Sequence, residues 1–390
     1  MIILKTKPKI KTHLTMKYAI TLVLTAFLFI SCKETPKKTE TSVAEIAKTF
    51  PNSITSKLDS LVKTMAVNNK CKFTTIIANK DTKYFSGYDG RTNNVVTDFN
   101  VLNEISSCTK MFTATSILQL IEQNKLSLND PITSIIKDEN LEQMLLLDGK
   151  NYIDSVKVIN LLNHSSGLPD YFGDDLDDVV IERYNDPSLT FTSKELLKQA
   201  KAVTANKFIP GSKFTYCNTN YILLGMIIEK ISGLTYQEYF KKFIIEPLQL
   251  KNTYLKSLNP DITRAQGHFK ETPTEIPATL AGSAGEIIAS LDDMNTFIRQ
   301  WYAGKLFKNP ETINMLLNDH YMVMSGPIKY GLGVVNLMGL SYGHAGQTFG
   351  FQSYMAASPN DYSFAFAIDD ANVSAWNEAI IFSSILSQLK

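Results

Sequence analysis

Glu104 to Gln123 reads Glu-Ile-Ser-Ser-Cys-Thr-Lys-Met-Phe-Thr-Ala-Thr-Ser-Ile-Leu-Gln-Leu-Ile-Glu-Gln, and this stretch decides how the rest of the chain is interpreted. Its apolar residues recur at helical spacing and fill the other faces too, which predicts a helix from near Ser107 that is buried almost all round. The first turn carries a hydroxyl at Ser107 and an amine at Lys110, three residues apart and therefore on one face. A serine, a nearby base and a helix N-terminus that favours an anion are what acyl transfer requires.

The Ser-x-x-Lys spacing alone does not identify a site, because it occurs four times in the chain. The other three instances are Ser60/Lys63, Ser134/Lys137 and Ser387/Lys390. They lie on amphipathic or terminal segments, where a lysine is simply in water. Ser107 opens a deeply apolar helix, so we predict that Ser107 and Lys110 are catalytic.

The composition indicates an ordinary globular protein. The 390 residues are 44% hydrophobic with a formal net charge of +1, and no long basic run appears outside the extreme N-terminus, so nucleic acid is not an expected partner. The four cysteines lack C-x-x-C spacing, and the five histidines are scattered without the H-E-x-x-H pattern. We therefore expect no metal and no other cofactor.

The N-terminus has the pattern of an export signal. Lysines precede an apolar run at residues 18–30, which ends in Ser31-Cys32. The run is shorter than the ~20 residues needed to span a bilayer, which favours a signal-peptide core over a transmembrane helix. Met16 is an alternative start to Met1, since the run that follows it already makes a complete signal.

The small residue followed by Cys32 resembles the cleavage and lipidation box of bacterial lipoproteins. This resemblance implies that residues 1–31 are removed and that Cys32 carries acyl chains anchoring the protein to a membrane of the cell envelope. The alternative is a free cysteine after a plain secretory signal. Residues 32–52, rich in Lys, Glu, Thr and Pro, are then a flexible tether. Residues 53–390 are expected to form the folded domain.

Strand-like runs lie near both ends of this domain and helical patterns fill its middle. We predict an amphipathic helix at Ser53–Met65, a hairpin around residues 80–82, strands at 330–335, 341–345, 352–357 and 364–368, and a final helix at 375–389. The acidic segment Asp174–Asp186 lacks periodicity and is interpreted as a surface loop. The two ends must pair into one antiparallel sheet beside the helical region, so the predicted fold class is α+β.

Two further motifs each occur once. Tyr216-Cys-Asn218 is predicted on a loop before a buried helix at 221–231, and His344-Ala-Gly346 on a strand. Taken alone, these residues are an ordinary packed aromatic, a helix N-cap and a strand histidine. His164, between a short helix and a tight turn, is interpreted as fixing its loop and not as catalytic.

The ordered triple of Ser107-Cys-Thr-Lys110, Tyr216-Cys-Asn218 and His344-Ala-Gly346 resembles one branch of the serine β-lactamase and penicillin-binding-protein superfamily. That branch includes class C β-lactamases, D-alanyl-D-alanine carboxypeptidases and related esterases and D-aminopeptidases. The resemblance extends over about 53–390. It implies a β-lactamase/transpeptidase-like fold, in which an antiparallel sheet flanked by terminal helices meets an all-helical lobe, with the site in the cleft between them.

The resemblance also implies a role for each residue. Ser107 attacks a carbonyl, and Lys110 or the Tyr216 phenolate takes its proton; Tyr216 passes it to the leaving group. Asn218 holds the substrate amide. The further substrate-binding residues are His344, Gly346 and Gln347, and the backbone amides of Ser107 and Gln347 are the implied oxyanion hole.

The implied function is a metal-free serine hydrolase that works through an acyl-serine. Its substrate is a D-amino-acid peptide of the cell wall, a small amide or a small ester. His344 stands where class C β-lactamases carry a lysine, which favours the peptidase and esterase relatives. The alternative is a lipoprotein that binds a β-lactam or peptidoglycan without turnover, as a sensor or a scaffold.

Cys108 and Cys217 each adjoin a motif residue. In the fold that the resemblance implies, both point into the floor beneath the pocket, so we predict that they touch and are able to form a disulfide in an oxidising compartment. The alternative is a pair of small buried thiols.

Overall fold

The strands at the two ends of the chain form one antiparallel sheet. A computed structural model describes residues 50–173, 178–203 and 207–389. Within these ranges the strands are β1 Lys72–Ala78, β2 Lys83–Asp89, β3 Asn94–Val95, β4 Asn103–Glu104, β5 Leu146–Leu147, β6 Lys150–Asn151, β7 Thr253–Leu255, β8 Gly267–Phe269, β9 Thr272–Thr274, β10 Ile287–Ala289, β11 Met322–Ser325, β12 Ile328–Tyr330, β13 Val335–Leu337, β14 Ser341–Gln347, β15 Gln352–Ala357 and β16 Ser363–Ile368. Nine of them form the main sheet, in the order β11-β12-β13-β14-β15-β16-β1-β2-β3.

Helices cover this sheet and fill the middle of the chain. In the described residues they are α1 Asn52–Asn69, α2 Thr109–Glu122, α3 Ile132–Ile135, α4 Val158–Leu162, α5 Asp178–Tyr184, α6 Ser193–Ala202, α7 Asn218–Ser232, α8 Tyr236–Phe240, α9 Ala278–Ala281, α10 Leu291–Tyr302, α11 Pro310–Asn318 and α12 Trp376–Ser387. None of these helices has both the length and the apolar character that a membrane span needs.

The register of the central strands confirms the predicted pairing of the two chain ends. β1 pairs with β16 through Phe73 and Ile368, and with β2 across the predicted hairpin. Side chains alternate between two cores along β16, as period-two strand geometry requires. Phe364 and Phe366 pack with α1 and α12 on one face, whereas Ala365 faces the core that contains α2 and α10.

Helix α2, which follows Ser107 and contains Lys110, is buried on all sides, as its sequence predicts. Eleven of its fourteen residues are buried. It packs against α7, and its polar side chains find partners inside the core, such as the Thr113 hydroxyl that donates to the Ser283 carbonyl at 2.6 Å. A helix with no solvent-facing side can hold a lysine away from water, which is the precondition for the site described below.

Three predicted element boundaries are wrong. Of the predicted strand at 330–335, Tyr330 ends β12 and Val335 begins β13, whereas residues 331–334 connect the two strands; Gly333 there has a φ of 80°, and a Cβ on it would lie 2.3 Å from the Ala114 Cβ. The helix predicted at 221–231 begins at Asn218 and therefore includes it. Within the acidic loop predicted at 174–186, residues 178–184 are helix α5, while residues 174–177 lie outside the described part of the chain.

The predicted contact between Cys108 and Cys217 is also wrong, since both are free thiols. The Cys108 thiol donates to the His344 carbonyl at 3.1 Å, towards the sheet. The Cys217 thiol lies 3.5 Å from the Leu168 carbonyl, towards the loop after α4. The two thiols thus point in different directions, and the sequence motifs do not show the direction in which a side chain points. The predicted signal peptide (1–31), Cys32 and nearly all of the predicted tether (32–52) lie outside the described residues.

Candidate active site

The predicted nucleophile lies at a strained turn that opens α2. Residues Ser106–Cys108 form one 3-10 turn that leads into the helix. Ser106 is fully buried and has a φ of 56°, a left-handed conformation that is uncommon outside glycine. This turn places Ser107, half-buried, on the wall of a cleft of about 520 Å³.

Lys110 is buried beneath Ser107 and has three hydrogen-bond partners. Its Nζ atom lies 2.9 Å from each of Ser107 Oγ, Asn218 Oδ1 and the Ala284 carbonyl oxygen. Burial lowers the pKa of Lys110 to about 7, although the carboxylate of Asp170 acts in the opposite direction. Near neutral pH the amine is therefore uncharged in a large fraction of molecules.

The three partners orient the neutral amine. A carbonyl oxygen only accepts, so the two amine hydrogens go to the oxygens of Ala284 and Asn218. The lone pair is left in the direction of Ser107, whose hydroxyl can donate to it at 2.9 Å. This geometry is that of a general base beside its nucleophile.

Tyr216 is less suited to act as the base. Burial raises the pKa of its hydroxyl well above the ordinary value, with the Ser107 hydroxyl acting in the opposite direction. The Lys110 Nζ atom lies 4.9 Å from the centre of its ring. The raised pKa keeps the Tyr216 hydroxyl protonated, and within the described residues it has no hydrogen-bond partner, so it is available as a donor. Of the two bases left open by the sequence, the geometry favours Lys110.

His164 supports Tyr216 from behind, in agreement with the interpretation that it fixes its loop. The two ring centres are 4.3 Å apart. His164 Nδ1 accepts a hydrogen bond from the backbone N–H of Cys217 at 3.1 Å, and its carbonyl accepts from Thr215 N–H at 3.0 Å. The histidine thus binds the residues immediately before and after Tyr216.

Asn218 is the first residue of α7 and contacts a carboxylate that the sequence analysis missed. Asp170 Oδ2 accepts from the Asn218 backbone N–H at 2.6 Å and from Asn218 Nδ2 at 3.0 Å. Burial raises the pKa of Asp170 to about 6, although its N–H donors favour the charged form. The available signal was its position directly after the His-Ser-Ser-Gly-Leu-Pro turn, at the end of a segment that already carried the family resemblance.

Strand β14 approaches the nucleophile along a free edge. Its pairing with β13 ends at Val335 and Gly343, so within the described residues 344–347 have no strand on that side. A Cβ at Gly346 would lie 2.3 Å from the Ile105 carbonyl oxygen and 2.4 Å from Ser353 Oγ. The glycine of His-x-Gly is therefore required for the close approach of β14 to the segment that carries Ser107.

His344 is neutral. Its Nδ1–H donates to the Ala345 carbonyl, so its Nε2 accepts from the Tyr330 hydroxyl at 2.8 Å. Burial, and next the charge of Lys110, lower the pKa of His344 to about 3. The residue in the place of the class C lysine thus carries no positive charge. The Ala345 carbonyl, which can only accept, fixes its tautomer, and Tyr330 at the end of β12 supplies the hydrogen bond to Nε2.

Gln347 ties β14 to the far wall of the cleft. Its Nε2 donates to the Ala371 carbonyl at 3.0 Å, and Gln352 on β15 donates to the same oxygen at 3.0 Å. The oxyanion-hole role of the Ser107 and Gln347 amides stays a prediction. Among the described residues no group of three or more His, Cys, Asp or Glu side chains has an arrangement that would hold a metal ion.

Solved structures of similar shape define the class of fold. The D-stereospecific amidohydrolase from Streptomyces sp. is 24% identical, with a TM-score of 0.69 over 85% of this chain and 98% of that chain. The D-amino acid amidase from Ochrobactrum anthropi SV3 is 20% identical, with a TM-score of 0.70 over 86% and 97%. A class C beta-lactamase mutant is 22% identical, with a TM-score of 0.66 over 86% and 98%. The predicted β-lactamase/transpeptidase-like α+β fold is confirmed.

The chain belongs to the beta-lactamase family, whose model, described as Beta-lactamase, matches residues 74–373. Curated relatives include Protein flp of Staphylococcus aureus strain MW2, 31% identical over 157 residues, and a putative D-alanyl-D-alanine carboxypeptidase of Salmonella agona strain SL483, 28% identical over 195 residues. These matches cover 40% and 49% of this chain but 28% and 43% of the relatives. The chain thus spans less than half the length of either relative.

Substituting Gly346→Ala is expected to slow acylation of Ser107 roughly 100-fold, because the added methyl pushes β14 away and displaces a predicted oxyanion donor. The measurement is the rate of Ser107 labelling by a p-nitrophenyl ester. Gly339→Ala is the control: Gly339 lies in the turn before β14, where a φ of 74° makes an alanine strained, but its Cβ would meet nothing within 4 Å. Equal rates in the two variants would contradict the assignment.

Proposed function

We propose that this protein is a serine hydrolase that cleaves an amide or ester through an acyl-serine on Ser107. The observation that carries the proposal is the buried Lys110 amine, 2.9 Å from the Ser107 hydroxyl, with a pKa lowered to about 7. A lysine in water is almost wholly protonated at neutral pH and cannot take the serine proton. Membership of the beta-lactamase family supports the same chemistry.

Acylation follows from the positions of the side chains. Ser107 Oγ bonds to the substrate carbonyl carbon while its proton passes to Lys110, and the carbonyl oxygen becomes an oxyanion facing the predicted amide donors. Tyr216, protonated and without a hydrogen-bond partner in the described residues, donates its proton to the leaving amine or alcohol as that bond breaks. Lys110 then returns a proton to Tyr216. Water releases the acyl group by the reverse sequence of proton transfers.

Asn218 has a free donor for the substrate. Its Oδ1 is engaged by Lys110 and one Nδ2 hydrogen by Asp170, so the second Nδ2 hydrogen is left for a substrate carbonyl oxygen. Asn218 also lines the cleft together with Ser107. This arrangement suits a peptide-like substrate, in which an amide lies next to the scissile bond.

We further propose a D-amino-acid peptide or amide as substrate. Several relatives support this choice by the activities in their names: a putative D-alanyl-D-alanine carboxypeptidase, a D-amino acid amidase and a D-stereospecific amidohydrolase. A cleft of about 520 Å³ is within the range of small-molecule sites, and its walls include the aromatic side chains of Phe172, Phe269 and Tyr330.

Exposure to a fluorescent penicillin, a p-nitrophenyl ester and a D-alanyl peptide tests the function by intact-mass spectrometry. We expect wild type, but not Ser107→Ala, to gain the mass of the acyl group or to release product. Short-lived adducts support a hydrolase, whereas an adduct stable for hours supports the penicillin- or peptidoglycan-binding sensor. Identical behaviour of the wild-type and Ser107→Ala proteins would refute Ser107 as the nucleophile.

The pH dependence of acylation tests the role of Lys110. The protonated amine has three hydrogens and no lone pair, so acylation is expected to be slow below pH 7, to rise through the lysine pKa of about 7 and to level off above it. Stopped-flow acylation rates between about pH 5 and pH 9 measure this limb. Lys110→Arg stays charged at every pH and should lose acylation throughout; a flat wild-type profile would contradict the assignment.

We also propose that the mature protein is a lipoprotein held on a membrane of the cell envelope through acylated Cys32. The support is the lysine-flanked apolar run that ends in Ser31-Cys32. Peptide mass spectrometry of protein extracted from membranes is expected to find an N-terminal Cys32 carrying acyl chains. The Cys32→Ser variant should leave the membrane fraction. An unmodified Cys32 in mature protein would exclude the anchor.

A further inference from the structure

Asp170 makes the hydrogen bonds that determine which way the Asn218 side chain faces. We propose that Asp170 is a positioning residue, which turns the Asn218 amide oxygen towards Lys110 and so directs the amine lone pair at Ser107. The inference rests on the proposed serine-hydrolase function and adds a residue to its machinery that neither the sequence motifs nor the mechanism above assigned.

The carboxylate of Asp170 leaves Asn218 one orientation. Asp170 Oδ2 accepts from the Asn218 backbone N–H at 2.6 Å and from Nδ2 at 3.0 Å, while Oδ1 accepts from Phe172 N–H at 2.9 Å. An ionised carboxylate has no hydrogen to donate, so the amide nitrogen must face it. The amide oxygen therefore points the other way, where Lys110 Nζ lies 2.9 Å from it.

The opposite orientation would disable the base. If the Asn218 amide were reversed, its N–H group would face the Lys110 amine, and the amine lone pair would accept from it. Ser107 would then meet an amine hydrogen in place of the lone pair. The orientation of the Asn218 amide, which contacts Lys110 and not Ser107, thus decides whether Lys110 can take the serine proton.

Asp170 is itself held in place by the start of α7. Thr219 Oγ1 donates to the Pro169 carbonyl at 2.8 Å and accepts from Tyr171 N–H at 3.1 Å. The Tyr171 hydroxyl donates to the Leu280 carbonyl at 2.7 Å. The residues on both sides of Asp170 are therefore fixed, and a rigid carboxylate can impose a single geometry on Asn218.

Asp170 has a second, electrostatic effect on the same base. Its carboxylate favours the ammonium form of Lys110 and opposes the effect of burial. The other titratable groups that face Lys110 are Cys108 on the turn before its helix, Tyr216 and Cys217 before α7, Tyr221 on α7, His164 after α4 and His344 on β14. Removing the Asp170 charge should lower the lysine pKa further.

Two substitutions in the full chain separate these effects. Asp170→Asn keeps an acceptor oxygen for Asn218 but removes the charge, so the plateau acylation rate should stay within about fivefold and the acid limb should move to lower pH. Asp170→Ala removes the acceptor and frees the amide, so the plateau should fall roughly 10- to 100-fold. Rates are measured with the p-nitrophenyl ester between about pH 5 and pH 9, per folded molecule as judged by circular dichroism.

Asp138, which does not line the cleft, offers a matched control. Its Oδ1 accepts from Asn140 N–H at 2.9 Å and from Asn140 Nδ2 at 2.8 Å, the same pair of bonds that Asp170 makes. Asp138→Ala should lose stability without loss of rate. The proposal is overturned if Asp170→Ala reacts as fast as Asp138→Ala. It is also overturned if the acid limb of the Asp170→Asn pH profile stays where it is in the wild type. This second measurement can still be made if Asp170→Ala fails to fold.

The wild-type protein distinguishes failure of this inference from failure of the proposed function. If wild-type Ser107 is not labelled, or if Ser107→Ala reacts equally, then the serine-hydrolase function is wrong and the role of Asp170 falls with it. If wild type is labelled with a pH limb near 7 and the Asp170 variants behave as the control, then only the role of Asp170 is refuted.

Discussion

An uncharged amine buried under a serine is the interaction on which the rest of this structure depends. Lys110 has no exposed surface, and a fully buried ammonium is costly unless every hydrogen finds an acceptor. The protein supplies three partners at 2.9 Å, enough to hold either protonation state. The pKa near 7 follows from this balance, since burial favours the neutral amine and Asp170 favours the charged one.

The surrounding elements bring those partners to one point. The turn before α2 supplies Ser107, the start of α7 supplies Asn218, and the turn after α9 supplies the carbonyl of Ala284. Strand β14 closes the site from the other side because Gly346 allows its backbone to lie against Ile105. These contacts join segments that are far apart in the chain, so the site exists only when the helical region and the sheet are packed together.

The helices and strands were predicted well from the sequence wherever the pattern of apolar residues matches the pattern of burial. The hairpin of β1 and β2 consists of two strand-like runs joined by a polar turn, and α2 has apolar residues on every face. Errors arose where a backbone conformation overrides the pattern. Residues 330–335 look like one strand, yet the chain turns between Tyr330 and Val335, where Gly333 has a positive φ and leaves no room for a Cβ beside Ala114. Cys108 and Cys217 each adjoin a motif residue of the site, yet the thiol of Cys108 contacts the His344 carbonyl and that of Cys217 the Leu168 carbonyl.

The amino-acid sequence by itself determined the family, and it predicted Ser107 as the nucleophile with Lys110 beside it, because the three motifs occur in a fixed order and the lysine lies in an apolar helix. It left the choice between Lys110 and Tyr216 as base undecided, and it did not reveal Asp170 or Tyr330 as partners of the site. Only the tertiary structure favours Lys110 over Tyr216 and shows the contacts that Asp170 and Tyr330 make. A pKa depends on burial and on charges from distant segments, and the orientation of an amide or the tautomer of His344 depends on which donor or acceptor the fold brings opposite it.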